Sequence, residues 1–184
     1  YSAAYIVKEA NTKSHVSWHQ DLTYWGLDSD AQVSVWLALS DASEASGCMH
    51  MIPGSHKHGQ QKHHNTQDNN NVLLSGQTIN DIDPNQSIAA SLKAGQASFH
   101  HGWTIHCSQP NLTNDRRIGL NIQYISPAVK QLKQQQDSAM LVRGVDHYGH
   151  FQTDQPAQSN FDSKAWQKQK ALDDKLKGIQ GNTT

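Results

Sequence analysis

The chain has 184 residues, with 15 Lys and Arg against 16 Asp and Glu and a net charge of −1. That balance excludes a basic nucleic-acid footprint and a polybasic membrane-binding segment, and no apolar run approaches the roughly 18 residues that span a bilayer. The length is that of one domain, mean hydropathy is −0.74, and two cysteines, Cys48 and Cys107, cannot make a disulfide framework, so a reducing, cytoplasmic setting is expected.

Ala3-Ala4-Tyr5-Ile6-Val7 is strand-like. Val16-Ser17-Trp18-His19-Gln20-Asp21-Leu22 follows, with His19 and Asp21 one residue apart. On a strand, side chains two apart share a face, so an imidazole and a carboxylate are presented together. They are two legs of the 2-His-1-carboxylate arrangement that holds non-haem Fe(II) with positions left open. The third leg must come from further along the chain. Such a three-residue pattern is common, and its ordinary reading is a solvated surface pair.

Val33, Val35, Leu37 and Leu39 recur at period two and predict a half-buried strand over 32–39. A polar loop over 40–47 leads to a short strand at 48–52, closed by a turn at Pro53-Gly54-Ser55-His56. Residues 57–86 are polar and lack a sustained period except around Val72-Leu73-Leu74, which predicts an irregular loop or lid. His56, His58, His63 and His64 are expected to be surface residues of that segment, with a metal-sequestering histidine surface as the other reading. Strand character resumes over 88–105, with a turn at 93–96, a strand at 97–101 and a strand ending at His106. From Arg116 to Tyr124 the chain alternates, with Ile118, Leu120, Ile122 and Tyr124 on one face. The other face carries Arg117, Gly119, Asn121 and Gln123, which suits a barrel lumen or cleft. After Pro127 the composition turns to Gln, Lys and Asp. Ala165, Trp166, Leu172 and Leu176 predict a helix over 162–177, capped by Asp162 or Asn160 and stopped by Gly178. Many short strands with little helix between them predict an all-β barrel or sandwich.

Several motifs now stand in order. His19-Gln20-Asp21 precedes Tyr24-Trp25-Gly26-Leu27 and Val35-Trp36-Leu37-Ala38-Leu39-Ser40-Asp41. Gly47-Cys48-Met49, Met51-Ile52-Pro53-Gly54-Ser55-His56, His100-His101-Gly102-Trp103, His106-Cys107-Ser108 with Pro110-Asn111, and Arg116-Arg117-Ile118-Gly119-Leu120 complete the series. This series resembles the phytanoyl-CoA dioxygenase family of Fe(II)- and 2-oxoglutarate-dependent oxygenases, over about residues 16–127. The resemblance implies a double-stranded β-helix (a cupin-like jelly roll) with a C-terminal helix. Residues 1–130 would be its core and 131–184 a C-terminal extension of the same domain.

The resemblance also implies Fe(II), 2-oxoglutarate and O2 as cofactor and cosubstrates. The reaction would hydroxylate a C–H bond of a small-molecule substrate and release succinate and CO2. It places the metal on His19, Asp21 and His106, with His100 and His101 as competitors for the third position. Arg117, 11 residues after His106, would take the far carboxylate of 2-oxoglutarate, with Arg116 as runner-up. Ser108 would help hold that carboxylate and Trp36 would line its pocket, plain core packing being the other reading of Trp36. Because related halogenases carry a small residue where Asp21 stands, hydroxylation is expected. The family has a substantial region before its His-x-Asp that this sequence mostly lacks. A truncated sequence, or a partner or homo-oligomer covering an exposed barrel edge, is therefore expected. No nucleic acid or membrane partner is expected. The alternative is a non-catalytic or 2-oxoglutarate-independent cupin-like metal-binding protein. Nothing legible identifies the substrate.

Overall fold

The structure is a computed structural model that describes residues 1–73, 76–133 and 137–181. Leu74 and the side chain of Leu176 lie outside the described residues. The strands are β1 (Ser2–Lys8), β2 (Val16–His19), β3 (Gln32–Ala38), β4 (Met49–Met51), β5 (His64–Asn65) and β6 (Gln77–Thr78). They continue with β7 (Ile88–Ala90), β8 (Ala97–His100), β9 (His106–Ser108), β10 (Arg117–Ile125), β11 (Ser138–Ala139) and β12 (Gln152–Thr153). One helix, α1 (Ser163–Gly181), follows them.

Two four-stranded antiparallel sheets carry the fold, ordered β1-β10-β3-β8 and β2-β9-β4-β7. Trp36 and Ala38 of the first sheet pack with Met49 of the second and the adjoining Cys48, and Met51, Ala90 and Leu92 close around them. The molecule is thus mostly β, with its main core between the two sheets. No helix among the described residues is long and apolar enough to cross a membrane.

The alternation over 32–39 marks the strand but not its inner face. Ser34, Trp36 and Ala38 are the buried side, at 0, 4 and 0% exposure, whereas Leu39 is 44% exposed. Polar Ser34 faces inward here because it donates to the Asp21 carboxylate, while Trp36 lies against the buried Arg117. On β10 the polar face is the inner one, as the alternation suggests: Arg117 and Gly119 are buried, while Tyr124 on the other face is exposed. Asn121 and Gly119 lie opposite Trp36 and Ala38. The outer face of the first sheet leaves Tyr5, Val7 and Phe99 open.

Other expectations are corrected in detail. His106 begins β9 and does not end the preceding strand. The segment 57–86 is not wholly irregular: β5 and β6 form a small antiparallel ribbon, and Ile79 N–H donates to the Trp18 carbonyl. At Pro53-Gly54 the chain does turn, with Gly54 at φ 76° and Ser55 N–H returning to the Ile52 carbonyl, the backbone that glycine permits. Asp162 caps α1, its Oδ1 accepting from the N–H groups of Lys164 and Ala165. Gly178 does not stop that helix, which runs on to Gly181. Trp166 is 72% exposed, so the helix is held by a narrower apolar stripe than its spacing suggests.

Candidate metal centre

His19 closes β2 and lies directly opposite His106 on β9. The two rings stand 4.1 Å apart. Asp21 does not share the strand, contrary to the reading from side-chain parity: it opens a 3-10 turn over Asp21–Tyr24. The turn swings its carboxylate back to the histidines, with Oδ1 3.2 Å from His19 Nε2 and 3.6 Å from His106 Nε2. One ligand atom from each of the three residues lies within 4.8 Å of the others, and no other such group of three exists among the described residues.

The ring orientations are set by the backbone. His19 Nδ1 sits 2.9 Å from the Ser17 carbonyl, and His106 Nδ1 sits 2.9 Å from the Thr104 carbonyl. A carbonyl can only accept, so each Nδ1 carries a proton and each Nε2 is the nitrogen turned toward Asp21, the usual way a metal-binding imidazole is oriented. Burial, together with nearby His19, pushes the His106 pKa down to about 3, so the ring is neutral at working pH. Burial alone would raise Asp21, but the imidazoles of His106, His100 and His19 outweigh it, and the carboxyl is held well below its usual range. Two imidazole nitrogens and one carboxylate oxygen are the donor set that suits a divalent iron.

Between these ligands, Gln20 points the other way and is fully buried. Its amide donates to the carbonyls of Gly59 and Trp103, each at 2.8 Å, and its Oε1 accepts from Gln61 N–H at 2.7 Å. Gln20 N–H donates to His63 Nε2, while His63 Nδ1 faces the Gln61 carbonyl. Gln20 thereby ties the 57–65 segment to the end of β2 and to Trp103. His63 serves that tie, and the loop histidines form no metal cluster among the described residues. His101 faces Asp30 at 3.7 Å and stacks near His56. His100 lies beside Asp21 but outside the trio.

On the inner face of β10, Arg117 is 2% exposed, and its guanidinium carbon lies 4.9 Å from the centre of the Trp36 ring. Trp36 can lie there only because residue 119 is glycine; a Cβ at Gly119 would collide with the indole. No carboxylate pairs with Arg117 among the described residues, and its Nε has no hydrogen-bond partner. Burial lowers its pKa to about 10, which still leaves it charged. Arg116, in contrast, is an exposed residue paired with Glu9.

Lys8 links this region to β9, the strand that carries His106. It lies opposite Arg117 across β1 and β10, is 4% exposed, and donates Nζ hydrogens to the carbonyls of Ser108 and Gln109. Ser108 is buried two residues beyond His106. Asn111, fully buried, bonds the carbonyls of Lys8 and Asp115 and shapes the connection that delivers Arg117. Sequence reasoning missed Lys8 and Gln20. A lone lysine in an apolar strand was a usable signal for Lys8, but its register opposite Arg117 was not.

Burial first, and then the Arg117 charge, lower the Lys8 pKa from 10.5 to about 7. An unfolded chain keeps that lysine protonated up to about pH 10.5, whereas the folded chain sheds the proton near 7. The unfolded state therefore binds more protons in this window, and stability rises with pH there. Between pH 7 and 9 the gain is expected to be about 2 kcal/mol, read as a rise of several degrees in the melting temperature. Lys8→Met should remove that rise. Above pH 9 the buried Cys107 thiol, pushed up to about 12 by burial, acts in the opposite direction.

A family model described as phytanoyl-CoA dioxygenase matches residues 1–119. Phytanoyl-CoA dioxygenase 1 of Oryza sativa subsp. japonica is 32% identical over 121 residues, covering 66% of this chain and 42% of that protein. The non-heme monooxygenase ThoJ, in its apo structure, superposes with a TM-score of 0.86 at 34% identity, over 100% of this chain and 66% of that one. A nickel complex of ThoJ superposes at 0.79. EvdO2 from Micromonospora carbonacea var. aurantiaca, complexed with 2-oxoglutarate, superposes at 0.60 with 28% identity, over 72% of this chain and 53% of that one. The chain spans under half the length of the curated relatives it matches.

Proposed function

The chain belongs to the phytanoyl-CoA dioxygenase family, and on that premise we propose that it is the core of an Fe(II)- and 2-oxoglutarate-dependent dioxygenase that hydroxylates a C–H bond of a small molecule. The observation that carries this reading is the convergence of two imidazole nitrogens and one carboxylate oxygen in a buried site. A buried arginine on the inner face of the first sheet, without an acid partner among the described residues, supports it.

His19, Asp21 and His106 would hold the iron and leave positions open for cosubstrate and O2. When bound, iron with 2-oxoglutarate and O2 supplies the oxidising chemistry, with succinate and CO2 as by-products. The carbonyls of Ser17 and Thr104 keep both Nε2 lone pairs turned to the metal. Arg117 would meet the far carboxylate of the cosubstrate with parallel hydrogen bonds, with Ser108 beside it and Trp36 holding the guanidinium plane. Lys8 fixes the strand end on which Ser108 stands. The apolar wall of Trp36, Ala38 and Met49 excludes water from the space between. Asp21 fills the position that a halide would need, which favours hydroxylation over halogenation.

The two antiparallel sheets with orders β1-β10-β3-β8 and β2-β9-β4-β7 support a double-stranded β-helix, with 1–130 as its core and 131–184 as an extension. A small-molecule substrate is the partner the lumen suits, and a homo-oligomer would cover the open outer face of the first sheet. The test is Fe(II)-dependent conversion of 2-oxoglutarate to succinate by the purified protein, abolished by chelation. A protein that binds the metal yet never consumes 2-oxoglutarate would favour the cupin-like alternative instead.

A further inference from the structure

We propose that His100, together with Ser34, is a positioning residue of the metal centre: it holds the second oxygen of Asp21, so that the carboxylate offers the metal one oxygen only. The inference rests on the metal-centre reading above and deepens it.

The two oxygens of Asp21 face different neighbours. Oδ1 is the one near His19 and His106. Oδ2 accepts a hydrogen bond from Ser34 Oγ at 3.0 Å and lies 3.5 Å from His100 Nε2. Ser34 and His100 are direct register partners on β3 and β8, so one rung of the first sheet presents both groups to the same oxygen. Ser34 is fully buried and His100 is 6% exposed. The His100 ring stands 4.9 Å from that of His106, close to the centre without joining it.

The protonation pattern separates His100 from the two ligands. His19 and His106 each place Nδ1 on a carbonyl two residues back, which frees Nε2 as a lone pair. His100 Nδ1 has no such carbonyl, and neither of its ring nitrogens has a formed hydrogen bond. Nothing therefore prevents its proton from residing on Nε2, where it is aimed at Oδ2. A phenylalanine would fill the same space without two orphaned polar atoms sealed from water. What the imidazole adds is a nitrogen facing, at 3.5 Å, the Asp21 oxygen that points away from His19 and His106, from where a small closing movement makes the hydrogen bond. A carboxylate gripping the metal with both oxygens would use a coordination position that an open site must keep free. Groups that orient metal ligands in this way typically matter 10- to 100-fold for affinity.

The experiment is an anaerobic titration of the purified protein with Co(II), whose visible spectrum reports coordination number, in wild type, His100→Phe, His100→Gln and Ser34→Ala. His100→Phe is expected to weaken Co(II) binding by roughly 10-fold or more and to change the intensity of the cobalt bands. His100→Gln, which keeps an N–H donor, should recover to within about threefold, and the metal-free melting temperature of His100→Phe should not fall. Wild-type affinity and spectrum in His100→Phe would overturn the proposal, as would equal weakening in the Phe and Gln variants. If Asp21→Ala loses Co(II) while His100→Phe does not, the metal centre stands and the positioning role falls. A wild-type protein that takes up no Co(II) overturns both.

Discussion

Replacing His106 with alanine is expected to weaken Fe(II) or Co(II) binding by at least about a thousandfold and to reduce succinate formation to background. The magnitude follows from scale: loss of a group that merely orients a ligand costs 10- to 100-fold, and here one of the three proposed donors disappears outright. His19→Ala should behave alike, since the two imidazoles lie opposite each other across one strand pair. The effect is visible without turnover. A metal present at about 100 times its dissociation constant stabilises the folded state by roughly 2.7 kcal/mol. In a chain of this size that raises the melting temperature by about 5–10 °C. Wild type should show the rise and His106→Ala should not, although both fold. Retained metal stoichiometry in the double variant His19→Ala with His106→Ala would instead move the metal to the loop histidines.

Arg117→Met is expected to raise the KM for 2-oxoglutarate on the order of 100-fold while leaving metal affinity within about twofold. A bidentate, charge-assisted contact is worth a few kcal/mol, and each 1.4 kcal/mol is tenfold. The same substitution should stabilise the metal-free protein. Burial lowers the Arg117 pKa from 12.5 to about 10, a penalty of roughly 3 kcal/mol at neutral pH, only partly offset by the Trp36 ring. A protein that becomes more stable as it loses cosubstrate affinity is what a buried charge waiting for an anion predicts. Arg117→Lys keeps the charge but not the planar fork, so its KM should fall between the two. If Arg117→Met lost metal as well, the guanidinium would be holding the fold and not the cosubstrate.

Much of this arrangement was legible in the residues. The alternation over Arg116–Tyr124 located β10 and put Arg117 on the inner face, and period-two spacing located β3. The face of β3 was misjudged because hydrophobic alternation marks the drier side. In this fold the drier residues, Val33 and Leu39 among them, look outward, while Ser34, Trp36 and Ala38 line the site. His19 and Asp21 were paired by strand parity, which is not how they meet, since Asp21 reaches the histidines through a 3-10 turn; His106 was added from the order of motifs. Gln20, Lys8 and Ser34 escaped notice, and His100 was weighed only as a rival ligand, for a common reason. Each matters through a partner distant in sequence, such as Gly59 and Trp103 for Gln20 or Ser108 for Lys8, and only strand register brings such pairs together.

One measurement bears most directly on the whole scheme: anaerobic addition of Fe(II) and then 2-oxoglutarate to the purified wild-type protein, followed by visible absorption. A weak charge-transfer band should appear only when both are present, be lost in His106→Ala, and require far more 2-oxoglutarate in Arg117→Met. Folded protein that binds Fe(II) tightly yet shows no band at any 2-oxoglutarate concentration would contradict it.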